Sequence, residues 1–365
     1  MSAPAPAAPA ARTGAAAPAD GRSARRQGAR RHGAGTLWLA VVVAAAALAG
    51  AALLSLAVGS RAVPPAVVLD ALLRPDRSVT DHLVVLDLRL PRTVVGLVVG
   101  AALGLAGALM QGLTRNPLAD PGLLGVNAGA ATAVVLAISV LGVTSPSGYV
   151  WFALVGAAVA AVVVHGVAAT GREGATPVKL TLAGAAVSAM LLSVTSAVLV
   201  TDSATFDQFR FWQVGSLSGR ELSVVAAVLP VLLVGAVLAL AMGPVLDALS
   251  LGQDVARGLG QRTGVARAVG ALAAVLLCGG ATAVAGPVAF LGLAVPHVVR
   301  AVTGPSHRWL LPLSALVAPT VLLLADVLGR VVARPGELQV GIVTAVVGAP
   351  VLVLLVRRRR GAVAL

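Results

Sequence analysis

The side chains of this sequence that could do chemistry are arginines placed at the edges of long apolar segments. Arg89 and Arg92 belong to the sequence R-L-P-R and stand three positions apart, so they share one face of a helix at the mouth of an apolar segment. Charged residues are costly in a membrane unless they line a path or meet a partner. The chemistry that fits them is recognition of an acidic protein surface or of an anionic ligand. The alternative is that they are solvated, or paired with aspartates in the same loop.

A second polar segment, N-P-L-A-D-P-G, occupies residues 116–122. Each proline lacks an N–H and disfavours helix in the residue before it, so this backbone cannot be helical throughout. Irregular backbone at membrane depth is tolerated where it is buried in protein or lines a cavity. We therefore expect a break between two helices here, with a role in a path or an interface.

The sequence carries no signature of an enzyme. A phosphate-binding loop needs G-x-x-x-x-G-K-[ST], but the single lysine, Lys179, lies between Val178 and Leu180. The five histidines are scattered without paired metal-ligand spacing, and the single Cys278 excludes an internal disulfide. We expect no ATP hydrolysis by this chain, no cofactor and no resident metal.

Composition places the chain in the membrane. It is 58% hydrophobic and 11% charged, with a mean hydropathy of +0.96, whereas a soluble domain has roughly 25% charged residues. The net charge of +13 does not indicate nucleic-acid binding, because the arginines are dispersed among the apolar segments or gathered in the two tails. The fold class we predict is all-α, a polytopic membrane protein of about ten transmembrane helices.

The predicted organisation is a disordered basic tail over residues 1–35, followed by one membrane domain over residues 36–365. Residues 1–35 are built of Ala, Pro, Gly and Arg, for which lipid-headgroup binding is the alternative role. Four glycines and an alanine recur every fourth residue on one face of the second span, which predicts a close helix–helix contact; these are Gly96, Gly100, Gly104, Ala108 and Gly112. The predicted spans are 36–58, 92–113, 122–141, 149–170, 178–201, 222–243, 265–285, 288–303, 309–333 and 338–356.

Both termini are predicted to be cytoplasmic. The basic residues of the two tails carry this orientation, because the basic residues of the loops divide almost evenly between the two sides. With this orientation Arg89, Arg92 and Arg330 lie on the outer side. Asp326 and Arg330, four positions apart, are predicted to form an ion pair on one helix face.

The segment between the sixth and seventh spans is too polar to cross the membrane. Residues 247–264 contain the apolar residues Leu249, Leu251, Val255 and Leu259 at spacings that favour one or two short amphipathic helices. Two roles are open for it: a helix lying at the membrane interface, or a docking helix whose apolar face enters a groove of a cytoplasmic partner.

Seven ordered motifs together resemble the FecCD-type permeases, the membrane subunits of ABC importers for iron-siderophores, cobalamin and haem. The resemblance covers the chain from about residue 36 to the C-terminus. Gln339 departs from the proline that this family usually has in E-L-P-x-G. The motifs are R-L-P-R (89–92), N-P-L-A-D-P-G-L-L-G (116–125), F-W-Q-V-G-S-L (211–217), L-G-Q-D-V-A-R-G-L-G (251–260), G-P-V-A-F-L-G-L-A-V-P-H-V-V-R (286–300), L-L-L-A-D-V-L-G-R (322–330) and E-L-Q-V-G-I-V-T-A-V-V-G-A-P (337–350).

The resemblance implies a permease subunit in the cell membrane that pairs with a second permease subunit, either a copy or a homologue. A cytoplasmic ABC ATPase homodimer would bind below, and an extracytoplasmic substrate-binding protein would deliver substrate from above. An iron-siderophore complex is the leading substrate because it is the commonest one of the family. An ion- or proton-coupled secondary carrier is the alternative, with His165 as the best candidate for the ionisable group that it requires.

The resemblance also implies roles for particular residues. Its arginines that face the binding protein correspond here to Arg89, Arg92 and Arg330. Its inner gate corresponds to Asn116, Pro117 and Leu118. The segment that couples to the ATPase corresponds to Leu251, Gly252, Ala256, Arg257, Leu259 and Gly260.

Overall fold

The structure is a computed structural model that describes residues 34–59, 62–170 and 176–363. The described parts contain helices and no strand, so the all-α prediction is confirmed. The predicted tail, residues 1–35, lies outside the described residues except for its last two. The α-helices are α1 (Ala34–Ala57), α2 (Pro65–Leu73), α3 (Thr80–Leu83), α4 (Leu90–Thr114), α5 (Val126–Leu141), α6 (Pro146–Ala168), α7 (Pro177–Thr201), α8 (Ser203–Gln213), α9 (Leu222–Ala241), α10 (Gly243–Ser250), α11 (Gln253–Gly258), α12 (Thr263–Ala285), α13 (Leu291–Thr303), α14 (His307–Val332) and α15 (Val340–Val363).

Every predicted span coincides with a helix, although the lengths differ. Among the described residues, seven helical stretches are long and apolar enough to cross a membrane, and α5, α13 and α15 form shorter apolar stretches. The stretch that contains α4 runs from Thr80 to Thr114, because α3 and a π-helical turn (Val84–Arg89) extend it without a break. The polytopic fold is therefore established, and the count of ten spans stays a prediction.

The helix of the third predicted span begins later than expected, after a turn that ends at a glycine. The sequence predicted a helix from residue 122, but residues Pro121–Leu124 form a 3-10 turn and α5 begins only at Val126. Gly125 between them has φ 74°, a left-handed conformation that glycine adopts without strain. The expected break in the N-P-L-A-D-P-G segment is thus present.

Besides α3, two helices that the pattern of spans did not predict lie in the connections. α2 begins at a proline after α1, and α8 follows α7 directly. α8 carries Phe209 and Trp212, both buried, with their ring centroids 5.6 Å apart. The loop after α8 is fixed by hydrogen bonds from Ser216 N to Ala285 O (2.8 Å) and from Gly341 N to Gly215 O (3.1 Å), so α8 ends against α12 and α15.

α4 lies at the centre of the bundle and packs antiparallel to α14. A side chain at Gly100 would collide with the Cα atom of Pro319, and one at Gly104 would collide with the carbonyl oxygen of Ser314. Gly96 faces Leu323 and Gly112 faces His307, which gives the antiparallel order of contacts. The close contact predicted for the glycine face of the second span is confirmed, and α14 is its partner.

The antiparallel pair gives the bundle two ends. We call the end at which α4 begins and α14 finishes the arginine end, because it holds Arg89, Arg92 and Arg330. The opposite end, called the loop end, holds the turn after α4 together with α10 and the first residue of α14, since Gly112 lies beside Leu246 and His307.

Candidate functional site

Arg89 ends the π-helical turn and reaches back to the end of α1. Its Nη1 donates to the carbonyl oxygens of Leu56 (2.7 Å) and Ala57 (2.8 Å). The last carbonyls of a helix have no partner within the helix, and a cation is favourable beside them. Arg89 therefore joins α1 to the start of α4.

Arg92, one turn further along, is held by two carboxylates. Its Nε and Nη2 donate to Asp326 on α14, at 2.9 Å to Oδ2 and 2.8 Å to Oδ1. Its Nη1 donates to Glu337 Oε2 at 2.6 Å, in the connection between α14 and α15. Asp326 thus binds the Nε–Nη2 edge of the guanidinium through two hydrogen bonds, the geometry in which arginine binds carboxylates most strongly, and Glu337 adds a single bond to Nη1.

Arg330, on α14, lies beside Arg89 and Arg92, and we call these three residues the arginine cluster. Its Nη2 lies 3.1 Å from Asp326 Oδ2, so the ion pair that the four-residue spacing predicted is confirmed. The same guanidinium donates to the carbonyl and to the hydroxyl oxygen of Ser55 on α1, at 3.0 Å each. Ser55 Oγ in turn lies 2.9 Å from Thr93 Oγ1, which links α1, α4 and α14.

The three arginines meet in one cluster, but they do not form a solvated cationic surface. Arg89 is 6% exposed, Arg92 7% and Arg330 2%. Arg74 and Arg77, which precede them in the loop between α1 and α4, are exposed. The sequence had left solvation of these side chains open, and for the three clustered arginines the structure replaces it with intramolecular partners.

The turn from α4 to α5 is built by side-chain caps. Asn116 Oδ1 accepts from Leu118 N at 2.9 Å, and Asp120 Oδ1 accepts from Gly122 N at 2.7 Å. Arg115 ends α4 in a left-handed conformation, with φ 52°. The proposed gate residues Asn116 and Pro117 therefore lie in a structured turn at the loop end, and the Leu118 side chain is 46% exposed.

Asp120 is the carboxylate of this turn. Removal from solvent raises the pKa of its carboxyl group, and the hydrogen bond from Gly122 N acts in the opposite direction. Nearby, Thr282 Oγ1 on α12 donates to Asn127 Oδ1 on α5 at 2.9 Å. The turn is thus followed by a polar contact between α5 and α12.

The predicted amphipathic segment forms two short helices, α10 and α11, in agreement with the sequence. Leu249 on α10 and Ala256 on α11 are buried, at 4% and 0% exposed. Leu251, Val255 and Leu259 are 64%, 50% and 61% exposed. We call these three exposed side chains the apolar face of the segment.

α10 is attached to the first residue of α14. Asp247 Oδ1 accepts from the backbone N of His307 at 2.6 Å and lies 3.0 Å from His307 Nδ1. The carboxylate caps the start of α14, where unpaired N–H groups and the helix dipole favour a negative charge. α14 is therefore bound to α10 at its beginning and to Arg92 near its end.

The remaining candidates are dispersed. The described residues contain no group of three or more His, Cys, Asp or Glu side chains able to hold a metal ion. Cys278 is buried as a free thiol in α12. His165 lies on the exposed side of α6, away from the arginine cluster in sequence and in helix contacts.

The seven membrane-length helical stretches found among the described residues define a polytopic helical membrane protein, with a buried charge cluster at one end of the bundle. The model of the FecCD transport family matches residues 44–358, and the chain belongs to that family. The resemblance read from the seven motifs is thereby confirmed.

Relatives support the same assignment. The chain is 50% identical over 299 residues to the ferric enterobactin transport system permease protein FepD of Escherichia coli (strain K12), covering 82% of this chain and 89% of the relative. It is 44% identical over 278 residues to the probable siderophore transport system permease protein YfiZ of Bacillus subtilis (strain 168), covering 76% and 84%. It is 39% identical over 281 residues to the cobalamin import system permease protein BtuC of Halobacterium salinarum, covering 77% and 75%.

A solved structure has the same architecture. It is described as an inward-facing conformation of a metal-chelate type ABC transporter, and it matches with a TM-score of 0.77 at 26% identity, covering 88% of this chain and 99% of that one. Family, relatives and membrane-length helices together make this protein a multi-pass protein of the cell membrane.

Proposed function

We propose that this chain is the permease subunit of an ABC importer and forms the translocation path for an iron-siderophore complex. The observation that carries the proposal is family membership over residues 44–358. The names of the relatives, among them a ferric enterobactin permease and a probable siderophore permease, support the substrate class. A related cobalamin permease keeps other metal chelates within the same class.

The proposed assembly contains two permease subunits, this chain and a copy or homologue, embedded in membrane lipid. A cytoplasmic ATPase homodimer binds the loop end, and an extracytoplasmic substrate-binding protein binds the arginine end. The sequence lacks a phosphate-binding loop, so the hydrolysis of ATP belongs to the separate subunits.

The proposed ATPase contact is the segment of α10 and α11. Its apolar face is exposed, which supports docking in a groove of a partner. The contact residues in this proposal are Leu251, Gly252, Ala256, Arg257, Leu259 and Gly260. Of these, Ala256 is buried within the chain.

The proposed docking site for the binding protein is the arginine cluster, and the proposed inner gate is the turn of Asn116, Pro117 and Leu118. What supports the first is the convergence of Arg89, Arg92 and Arg330 at one end of the bundle. What supports the second is the structured, non-helical turn at the other end, with Leu118 exposed.

The experiment that tests this function is reconstitution in nanodiscs. Permease purified alone should hydrolyse no ATP. The complex with the ATPase subunits encoded beside the permease gene should hydrolyse ATP, and the neighbouring binding protein loaded with a ferric siderophore should stimulate it. Turnover by the isolated chain, or a full complex that does not respond to the loaded binding protein, would contradict the proposal. A secondary carrier would instead respond to a proton gradient without ATPase subunits.

A further inference from the structure

Access of an outside carboxylate to the arginine cluster is limited, because Arg92 is already hydrogen-bonded within this chain. Arg92 donates from Nε and Nη2 to Asp326 and from Nη1 to Glu337. A guanidinium presents its five N–H groups in one plane and recognises a carboxylate along an edge. All three nitrogens of the Arg92 guanidinium thus already donate to carboxylates of this chain.

The two carboxylates differ in exposure. The side chain of Asp326 is 0% exposed and that of Arg92 8%, whereas the side chain of Glu337 is 38% exposed. Asp326 is also paired with Arg330 on its own helix. Of the two carboxylates that hold Arg92, Glu337 is therefore the one that a group arriving from solvent meets first.

Glu337 is also the partner that can leave. It belongs to the seven-residue connection between α14 and α15, whereas Asp326 is fixed within α14. The neighbouring backbone is anchored, since Leu338 N donates to Gly329 O at 3.1 Å. The side chain alone can therefore turn away while the connection stays in place.

The charge of the cluster favours an exchange over an addition. Three arginines, Arg89, Arg92 and Arg330, face the two carboxylates Asp326 and Glu337, and Asp81 adds a further attraction on Arg89. A carboxylate from outside that replaced Glu337 would leave the number of carboxylates bound to Arg92 unchanged. A carboxylate added beside Glu337 would be repelled by a like charge at short range.

We propose that Glu337 is an internal competitor for Arg92, which an acidic side chain of the docking protein displaces when it binds. This inference rests on the proposed docking of an extracytoplasmic binding protein at the arginine end. It assigns to Glu337 a role in tuning affinity: the glutamate keeps Arg92 paired while the site is empty, and it weakens docking by the cost of its own displacement.

The test compares Glu337→Gln with wild type in the assembled importer in nanodiscs, using the binding protein encoded beside the permease gene as the probe. The variant replaces a charged acceptor by a neutral one, so displacement becomes easier and docking should tighten by about tenfold. Glu337→Asp retains the charge and should stay close to wild type. The matched control is Glu221→Gln, because Glu221 is an exposed glutamate at the start of α9, outside the cluster.

The outcomes distinguish a failure of the proposed function from a failure of the competitor role of Glu337. Absence of docking to wild type would contradict the proposed function itself. Docking to wild type with Glu337→Gln unchanged or weaker would overturn the competitor role alone. Equal tightening by Glu337→Gln and Glu221→Gln that disappears in high salt would reduce the effect to the general electrostatic field and would also overturn it. Thermal unfolding of each variant confirms that the fold is retained.

Discussion

Arg92 and Asp326 are 234 positions apart in the sequence, and they form a two-bond ion pair inside the bundle, at 2.9 Å and 2.8 Å. Both side chains are removed from solvent. Removal of one partner from a buried ion pair leaves the other charge uncompensated, which is the expensive way to disturb such a pair. The stability of the arginine end therefore depends on Asp326 more than on any exposed ion pair.

Asp326→Asn should strongly destabilise the protein. Arg92 and Arg330 would lose their shared carboxylate, so the free energy of unfolding should fall by about 3–5 kcal/mol. The matched control is Asp207→Asn, which breaks the exposed pair with Arg210 on α8 and should cost less than about 1 kcal/mol. Thermal unfolding in detergent measures both. Similar losses of stability in the two variants would show that the buried ion pair contributes no more than the exposed one.

Gly100→Leu should disrupt the contact between α4 and α14. The new side chain would meet the Cα atom of Pro319, a backbone atom that cannot turn aside. Overpacking of this kind costs about 1–3 kcal/mol, and more where backbone must move. Gly50→Leu is the control, because a Cβ atom added at Gly50 on α1 meets no atom within 4 Å. Purification yield and melting temperature should fall only for Gly100→Leu; equal behaviour would contradict the predicted packing.

Leu259→Asp should release the ATPase subunits from the loop end and leave the membrane fold intact. A carboxylate in an apolar interface is desolvated without a partner, at a cost of several kcal/mol. Leu73→Asp is the control, because it changes another exposed leucine, on α2 in the connection between α1 and α4, and it should leave ATPase binding unchanged. Co-purification of the ATPase with each variant is the readout. If Leu259→Asp still binds the ATPase and transports normally, the segment is an interfacial helix.

Asp120→Asn should be tolerated at neutral pH. Burial raises the pKa of the Asp120 carboxyl, so the native state binds its proton more tightly than the unfolded chain does. The free energy of unfolding of the wild type therefore falls as the pH rises from the ordinary value of 3.8 through the raised pKa. The asparagine keeps an oxygen that can accept from Gly122 N.

The measurement for Asp120 is a comparison of melting temperatures of wild type and Asp120→Asn across acidic to neutral pH. The wild type should gain on the variant as the pH falls through the raised pKa. A constant difference over the whole range would show that the carboxyl does not titrate differently in the folded state.

The sequence predicted those features of the fold that depend on local pattern. Apolar length located a helix at each predicted span, the four-residue spacing of glycines predicted the close contact of α4, and two prolines predicted the break after it. The interval of four between Asp326 and Arg330 predicted their ion pair. Each of these follows from helix geometry within about thirty residues.

The contacts between residues far apart in the sequence were not predicted, because they depend on which distant helices pack together. Nothing in the spacing of Arg92 indicates Asp326 or Glu337, and nothing around Arg330 indicates Ser55. Charge counting left the loop arginines either solvated or paired, because burial at a helix junction is a tertiary property. For the same reason the attachment of Asp247 to His307 was not predicted, although both residues flank segments that had been identified.

α14 is attached at both of its ends, and its length can be compared with the thickness of a bilayer. A helix of 26 residues spans about 39 Å, close to the full thickness of a bilayer with its headgroups, which is about 40–45 Å. One end is held by Asp247 and the other by Arg92. Where binding at each surface depends on the position of this helix, linkage makes the effect of each partner on the affinity of the other equal. The two contacts thus join α14 to α10 at one end of the bundle and to α4 at the other, so that a single rigid helix connects both ends.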